Sequence, residues 1–285
     1  MNNPRFSRWV YWGTVIFLFL PLLVLTFYSF NEAKSFTWQG FSLRWYLGLF
    51  AQWMSPESLQ SFFIGVEPRE LQQIVLRSQA IWGAVGNSVV IALGSASIAT
   101  VIGTLAAIGL NWYDFPGKKY IQSVSFIPLL LPEIIIGVSL LIFFRSVLHM
   151  ELGMGSILLA HTSFVLPFVI MIIMARLGEF DFSIIEAARD LGAKETDVLW
   201  KVIIPITMPG ILSGFLTAVT LSLEDFVVTL FVQGSNSVTL PLFIFSAVKR
   251  GVPPEINALS VIIIVLTVIL MFSVRNLLKY IVKSK

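Results

Sequence analysis

The sequence predicts an all-α integral membrane protein with six transmembrane helices. Three observations predict it. Charged residues make up 12% of the chain and hydrophobic ones 56%, whereas soluble domains carry about 25% charged residues. Several apolar runs approach the ~20 residues that a helix needs to cross the hydrocarbon core. Lysine and arginine are also unevenly divided between the segments that join those runs.

The first run, 9–30, follows Arg5 and Arg8. It is too long for a signal-peptide core and no A-x-A-like site follows it, so it reads as a retained first span. Residues 31–83 hold Pro56, Pro68, Glu57, Glu67, Glu70, Arg69 and Arg77, which cannot sit in hydrocarbon. This segment is expected to be extracytoplasmic. Within it, SLRWYLGLF has the look of an interfacial amphipathic helix with Trp45 and Tyr46 at headgroup level, and 67–82 a second short helix starting near Pro68. Further spans are expected at 84–110, 120–147, 156–177, 203–232 and 256–280, the whole chain 1–285 forming one transmembrane domain. The third and fifth are not expected to be plain helices. The third contains Pro128, Pro132 and Glu133; the fifth contains Pro205, Pro209, Gly210 and Gly214, then Glu224 and Asp225. Proline removes a backbone donor, and carbonyls freed inside a bilayer must face protein or a wet cavity. Gly210 and Gly214 also form a GxxxG pattern suited to close helix contact.

With both termini in the cytoplasm, twelve of the 19 Lys and Arg fall inside and seven outside, and four of the seven lie in the long first loop, where charge counts less. The net charge of +3 then reflects cytoplasmic loops rather than nucleic-acid binding. Having no cysteine excludes disulfides and thiolate metal sites; His149 and His161 are the only histidines, which leaves little for a catalytic metal. No residue is assigned a catalytic role and no metal is expected. His161, beside Thr162 and Ser163, reads as an interhelical hydrogen-bonder rather than a ligand. The phosphate-cradling pattern G-x-x-x-x-G-K-[ST] is missing; Gly117-Lys118-Lys119 lacks the preceding glycine.

Segment 178–202 is the most polar interval after the first loop. Ser183 and Glu186 fit a capping box, Ile184, Ala188 and Leu191 fall on one apolar face, and Gly192 is placed to end a helix in the left-handed conformation. Asp197 and Lys201 are spaced for an i,i+4 pair on a second helix that runs into Pro205. On physics alone this is either a capped connector or a docking surface with small residues at Ala187 and Ala188. Most helix connections are far shorter, which favours docking.

Glu186-Ala187-Ala188, three residues, Gly192, nine residues, then Val202-x-Ile204-Pro205 resembles the EAA loop of ABC importer permeases (EAA, three residues, G, nine residues, I-x-L-P), with Val202 and Ile204 keeping the apolar character. WQGFSLRWY, LSLEDFVVTLFVQG and AVKRGVPPEINAL resemble the spermidine/putrescine permeases of that family, although 52–80 is longer than in its common form. The resemblance implies a type I importer permease fold in a bacterial inner membrane. It implies that Glu186, Ala187, Ala188, Gly192 and Pro205 belong to a coupling helix held by a separate ATPase dimer, which binds ATP and Mg. It also implies a homologous second permease and a periplasmic or lipid-anchored binding protein. No cofactor is expected in this chain, and no nucleic acid; membrane lipid is its solvent.

Glu224 and Asp225 are the sharpest cargo clue. Carboxylates at membrane depth are costly and point to function; adjacent on a helix they diverge by about 100°. A cationic cargo would find charge there and at Glu133, and aromatic faces at Phe226 and Phe231. The competing readings are a structural pair with Arg145, His161 or Arg250, or a place just outside the hydrocarbon. Other cargoes for the same architecture are thiamine, ferric iron or an oxyanion, the last disfavoured by the acids. A secondary transporter using the acids for protons leaves the EAA spacing unexplained, and a membrane enzyme lacks a carboxylate–histidine cluster.

Overall fold

The structure is a computed structural model and describes residues 4–33, 37–179, 183–249 and 254–283, with backbone alone at 4, 6, 270, 271 and 273–283. Those residues are almost wholly helical, as an apolar solvent demands: a backbone polar group without a partner in lipid costs several kcal/mol, and a helix satisfies its groups within one segment. In chain order the helices are α1 (Pro4–Ser29), α2 (Arg44–Leu49), α3 (Pro56–Phe62), α4 (Pro68–Trp112), α5 (Lys118–Phe126), α6 (Glu133–Ile142), α7 (Met154–Gly178), α8 (Ser183–Asp190), α9 (Glu195–Val198), α10 (Ile204–Glu224), α11 (Val227–Val232), α12 (Leu240–Lys249) and α13 (Pro254–Lys283). By length and composition, Ser7–Ser29, Pro68–Trp112, Met154–Gly178 and Glu195–Glu224 can each cross a bilayer; Lys118–Leu130 and Glu133–Val147 qualify together, bent by 108°.

The chain forms two compact units, Met1–Trp82 with Ile244–Lys285, and Gly83–Phe243. In the first, α1 and α2 pack on α13. The segment after α1 is built by side chains that close the loop's backbone groups. Asn31 accepts from the Gln39 amide at 3.0 Å and donates to the Thr37 carbonyl at 2.9 Å. Ser55 caps α3 through the Ser58 amide, with Pro56 at its first turn. Trp45 is not at a headgroup surface: it is 4% exposed, and its indole N–H donates to the Asn31 carbonyl at 2.7 Å. Nor is 67–82 a separate helix, since α4 runs 45 residues without a break. At 1.5 Å per residue it exceeds twice the hydrocarbon thickness. The change from polar to apolar composition near residue 80 marks a change of surroundings, not a helix end. Trp82 and Ser78 tie its N-terminal part to the Leu49 carbonyl.

The second unit has its core where α4, α7 and α10 meet. Ala96, Ala99, Phe164, Val165, Val169, Ile173 and Ala218 are buried there. Small residues permit the close approach: a Cβ on Gly103 would lie 2.7 Å from Val169 Cγ1, and one on Gly210 would lie 2.8 Å from Arg176 Cβ. Gly210 and Gly214 thus seat α10 on α7, as the GxxxG spacing suggests. The two irregular segments break for different reasons. Between α5 and α6 the chain turns at Leu131, extended at ψ 139°, and Pro132, because a residue before proline is pushed out of the helical region. In the fifth segment the prolines do not break the helix. Pro205 follows a π turn at Leu199–Ile203 and Pro209 lies inside α10; wider turns of this kind absorb a missing donor. The break comes at Asp225 and Phe226 instead. The piece beyond it, α11, packs on α6, and a Cβ on Gly137 of α6 would meet Phe231 at 2.6 Å.

Candidate functional site

Two places in the second unit gather the candidate residues. The first is the polar elbow of α8 and α9. Gly192 has φ +83°; its amide donates to the Arg189 carbonyl at 2.8 Å and the Ala193 amide to the Ala188 carbonyl at 3.1 Å. That pair of bonds is a Schellman motif, which a left-handed glycine makes possible. Arg189 closes the turn with a forked contact to Glu195, Nε to Oε1 at 2.9 Å and Nη2 to Oε2 at 3.0 Å. This bond and the facing charge raise the guanidinium above its ordinary pKa. Lys201 and Asp197 pair at 2.6 Å as their spacing predicts. The capping box expected at Ser183 and Glu186 abuts residues 180–182, which lie outside the described residues.

The apolar face expected on this elbow is corrected. Ile185 is buried and packs with Ala188, Ala193 and Val198 on the core, while Ile184 is 46% and Leu191 89% exposed. The buried face is rotated by one residue, about 100° of helix, and α8 stops at Asp190, so Leu191 belongs to the turn. Glu186, Ala187 and Gly192 are exposed, as is Pro205 at the start of α10. The elbow is anchored from within and leaves Ile184, Ala187 and Leu191 uncovered by the chain's own core.

The second place is the α10–α11 break. Here the adjacent acids part company. Glu224, the last residue of α10, is exposed. The Asp225 side chain is 2% exposed. It accepts from the Val228 amide at 3.2 Å, the Thr229 amide at 2.9 Å and the Thr229 hydroxyl at 2.9 Å, so it caps the first turn of α11. His161 of α7 reaches the same carboxylate, Nε2 to Oδ2 at 3.1 Å. Its ring also contacts Ser222 through Nδ1 at 2.7 Å and Thr229 through Nε2 at 2.8 Å, and Ser95 of α4 donates to Ser222 at 3.2 Å. Of the partners considered for the acids, the structure brings His161 to Asp225; Arg250 lies outside the described residues. Glu133 is exposed at the first turn of α6. Phe226 is partly buried at the break, and Phe231 packs into the cluster of Ile91, Phe144, Ile157 and Val228. The sequence carries a signal for this break, an acid three and four residues ahead of two helical amides, an N-terminal capping pattern that lies inside the apolar run 203–232.

Asp225→Asn is expected to cost about 1–3 kcal/mol, because the NH₂ that replaces one carboxylate oxygen cannot accept from the Val228 or the Thr229 amide it would face. The loss is read as a lower melting temperature of the detergent-solubilised protein.

Residues 99–285 match the family model described as the binding-protein-dependent transport system inner membrane component. The chain belongs to this family. It is a multi-pass inner-membrane permease with the fold of type I ABC importers. Among relatives, it is 40% identical over 255 residues to the spermidine/putrescine transport system permease protein PotC of Haemophilus influenzae, covering 89% of each chain. The PotC of Escherichia coli K12 is 35% identical over 258 residues, covering 90% of this permease and 88% of that one. The E. coli K12 putrescine transport system permease protein PotI is 40% identical over 255 residues, covering 87% and 82%. Among solved structures, a bacterial ABC transporter involved in import of the acidic polysaccharide alginate superposes with TM-score 0.66 at 14% identity, covering 95% of both chains. The MetNI methionine ABC transporter in an inward-facing conformation gives 0.53 at 20% identity, covering 74% of this permease and 97% of that chain.

Proposed function

We propose that this permease is one half of the translocation path of an ATP-driven polyamine importer, carrying spermidine or putrescine. The observation that carries the reading is the 40% identity, over nearly the full length of each chain, to a spermidine/putrescine permease. The break at Asp225 supports it physically. The last carbonyls of α10 have no intrahelical partner, and they end a helix whose C-terminus carries roughly half a negative charge. Exposed Glu224 adds a full one. A broken helix inside a bilayer is tolerated where it lines a cavity, and such a cavity attracts cations and repels oxyanions. Glu133, at the other broken segment, and the ring of Phe226 complete the candidate path; Asp225 and Phe231 support it from behind.

In this reading six spans are counted with the bent pair as one and α13 as the last. Both termini are cytoplasmic, and residues 31–83 lie outside. The elbow at Glu186, Ala187, Ala188 and Gly192, with Pro205 behind it, docks into an ATPase dimer that binds ATP and Mg; its uncovered Ile184, Ala187 and Leu191 suit an apolar groove. A homologous permease completes the pore, and a binding protein delivers cargo. The chain performs no covalent chemistry. It alternates access as the ATPases draw the elbows together.

Proteoliposomes containing the whole complex and its binding protein test this. Spermidine uptake is expected to require ATP and to survive collapse of the proton gradient. Uptake that follows the gradient and ignores ATP overturns the reading.

A further inference from the structure

We propose that His161 is a positioning residue for transport, fixing the α10–α11 break so that Asp225 stays inside and Glu224 meets the cargo. The inference rests on the assignment of Glu224 to the cargo path.

The hydrogen inventory defines the clamp. The single hydroxyl hydrogen of Thr229 goes to Asp225, so toward His161 that oxygen accepts, and Nε2 carries the ring proton. Nε2–H is then shared between Thr229 Oγ1 and Asp225 Oδ2. Ser95 points its hydroxyl toward both the Ala92 carbonyl at 3.4 Å and Ser222 at 3.2 Å, and Ser222 meets Nδ1 at 2.7 Å. An imidazole with hydrogen on Nε2 therefore has a partner at both ring nitrogens. Every member of the cluster is buried.

The clamp grips the chain on both sides of Glu224. Ser222 lies two residues before it on α10, and residues two apart on a helix differ by about 200°. Holding Ser222 against α7 therefore turns Glu224 to the opposite face, where it is exposed. On the far side, Asp225 and Phe226 leave helical continuity: Asp225 has ψ 126° and Phe226 φ −118°. Packing of α11 on α6 holds the joint from one side, and the histidine ties it from the other. The ring bonded to both α10 and α11 sets the angle, and so decides which of two adjacent carboxylates is presented.

The test is a double-mutant cycle on KM and Vmax of spermidine uptake by the reconstituted complex, using His161→Ala, Glu224→Gln and both together. His161→Ala is expected to raise KM about tenfold, the size of a coupling between residues in one network, with no further rise in the double variant beyond Glu224→Gln. His161→Gln, whose amide donates and accepts, is expected to return KM to within about threefold. If His161→Ala does not assemble, Ser222→Ala takes its place in the cycle with the same expectations. Additive effects in the double variant, or a fall in Vmax at unchanged KM, overturn the positioning role and leave the Glu224 assignment standing. An unchanged KM in Glu224→Gln alone overturns both. Uptake without ATP overturns the importer reading and reaches neither residue.

Discussion

Glu224→Gln is expected to raise the KM for spermidine about 10- to 100-fold with little change in the amount of assembled complex. Glu224 is exposed at the end of α10, so removing its charge strips nothing from the fold. It strips from the cargo one charge-assisted hydrogen bond, worth about 1.5–3 kcal/mol, and 1.4 kcal/mol is a factor of ten in affinity. The measurement is initial uptake against spermidine concentration, normalised to the permease in the membrane. An unchanged KM would remove this carboxylate from the path and with it the electrostatic case for a cationic cargo. The contrast with Asp225→Asn is informative. The same loss of charge one residue later is expected to appear as instability, because that carboxylate is committed to α11 and His161.

Gly192→Val is expected to lower the cargo carried per ATP hydrolysed at least tenfold. The cause is backbone conformation, since a Cβ at this glycine meets nothing within 4 Å. At φ +83° a β-branched residue is strained by about 1–3 kcal/mol, and the chain relieves this by abandoning the two Schellman bonds. Ile184, Ala187 and Leu191 then lose their fixed spacing relative to Val198 and α10. Because the defect is conformational, substitutions should rank by tolerance of the left-handed region: Asn mildest, Ala intermediate, Val worst. The check is paired measurement of ATPase rate and uptake in proteoliposomes. Equal coupling in the three variants would mean the elbow does not transmit motion through this turn.

The elbow shows how far sequence reaches when interactions are local. Gly192, the Asp197–Lys201 pair and the helix–turn–helix were all legible, because each depends on residues within one turn of one another. Its buried face was not. Choosing Ile185 over Ile184 is a rotation of one residue, settled by where Ala188, Ala193 and Val198 find the core. The break in the fifth segment was misplaced for a related reason. Proline marks a missing donor, and Pro205 and Pro209 suggested the irregular point, yet a π turn accommodates the first and the helix continues through the second. The chain leaves the helix at Asp225, where a distant histidine and a cap offer its carboxylate partners that a continuing helix would not.

Composition, apolar run length and local spacing were enough to determine a helical membrane protein with a polar helix–turn–helix elbow, and the resemblance of one spaced motif pointed to the permease family. Those features answer to the solvent and to short-range geometry, which the linear order carries directly. Tertiary structure decided which carboxylate is presented and which is locked away. Adjacent residues differ by a fixed angle, but the zero of that angle is set by packing against another helix, here α7 through His161.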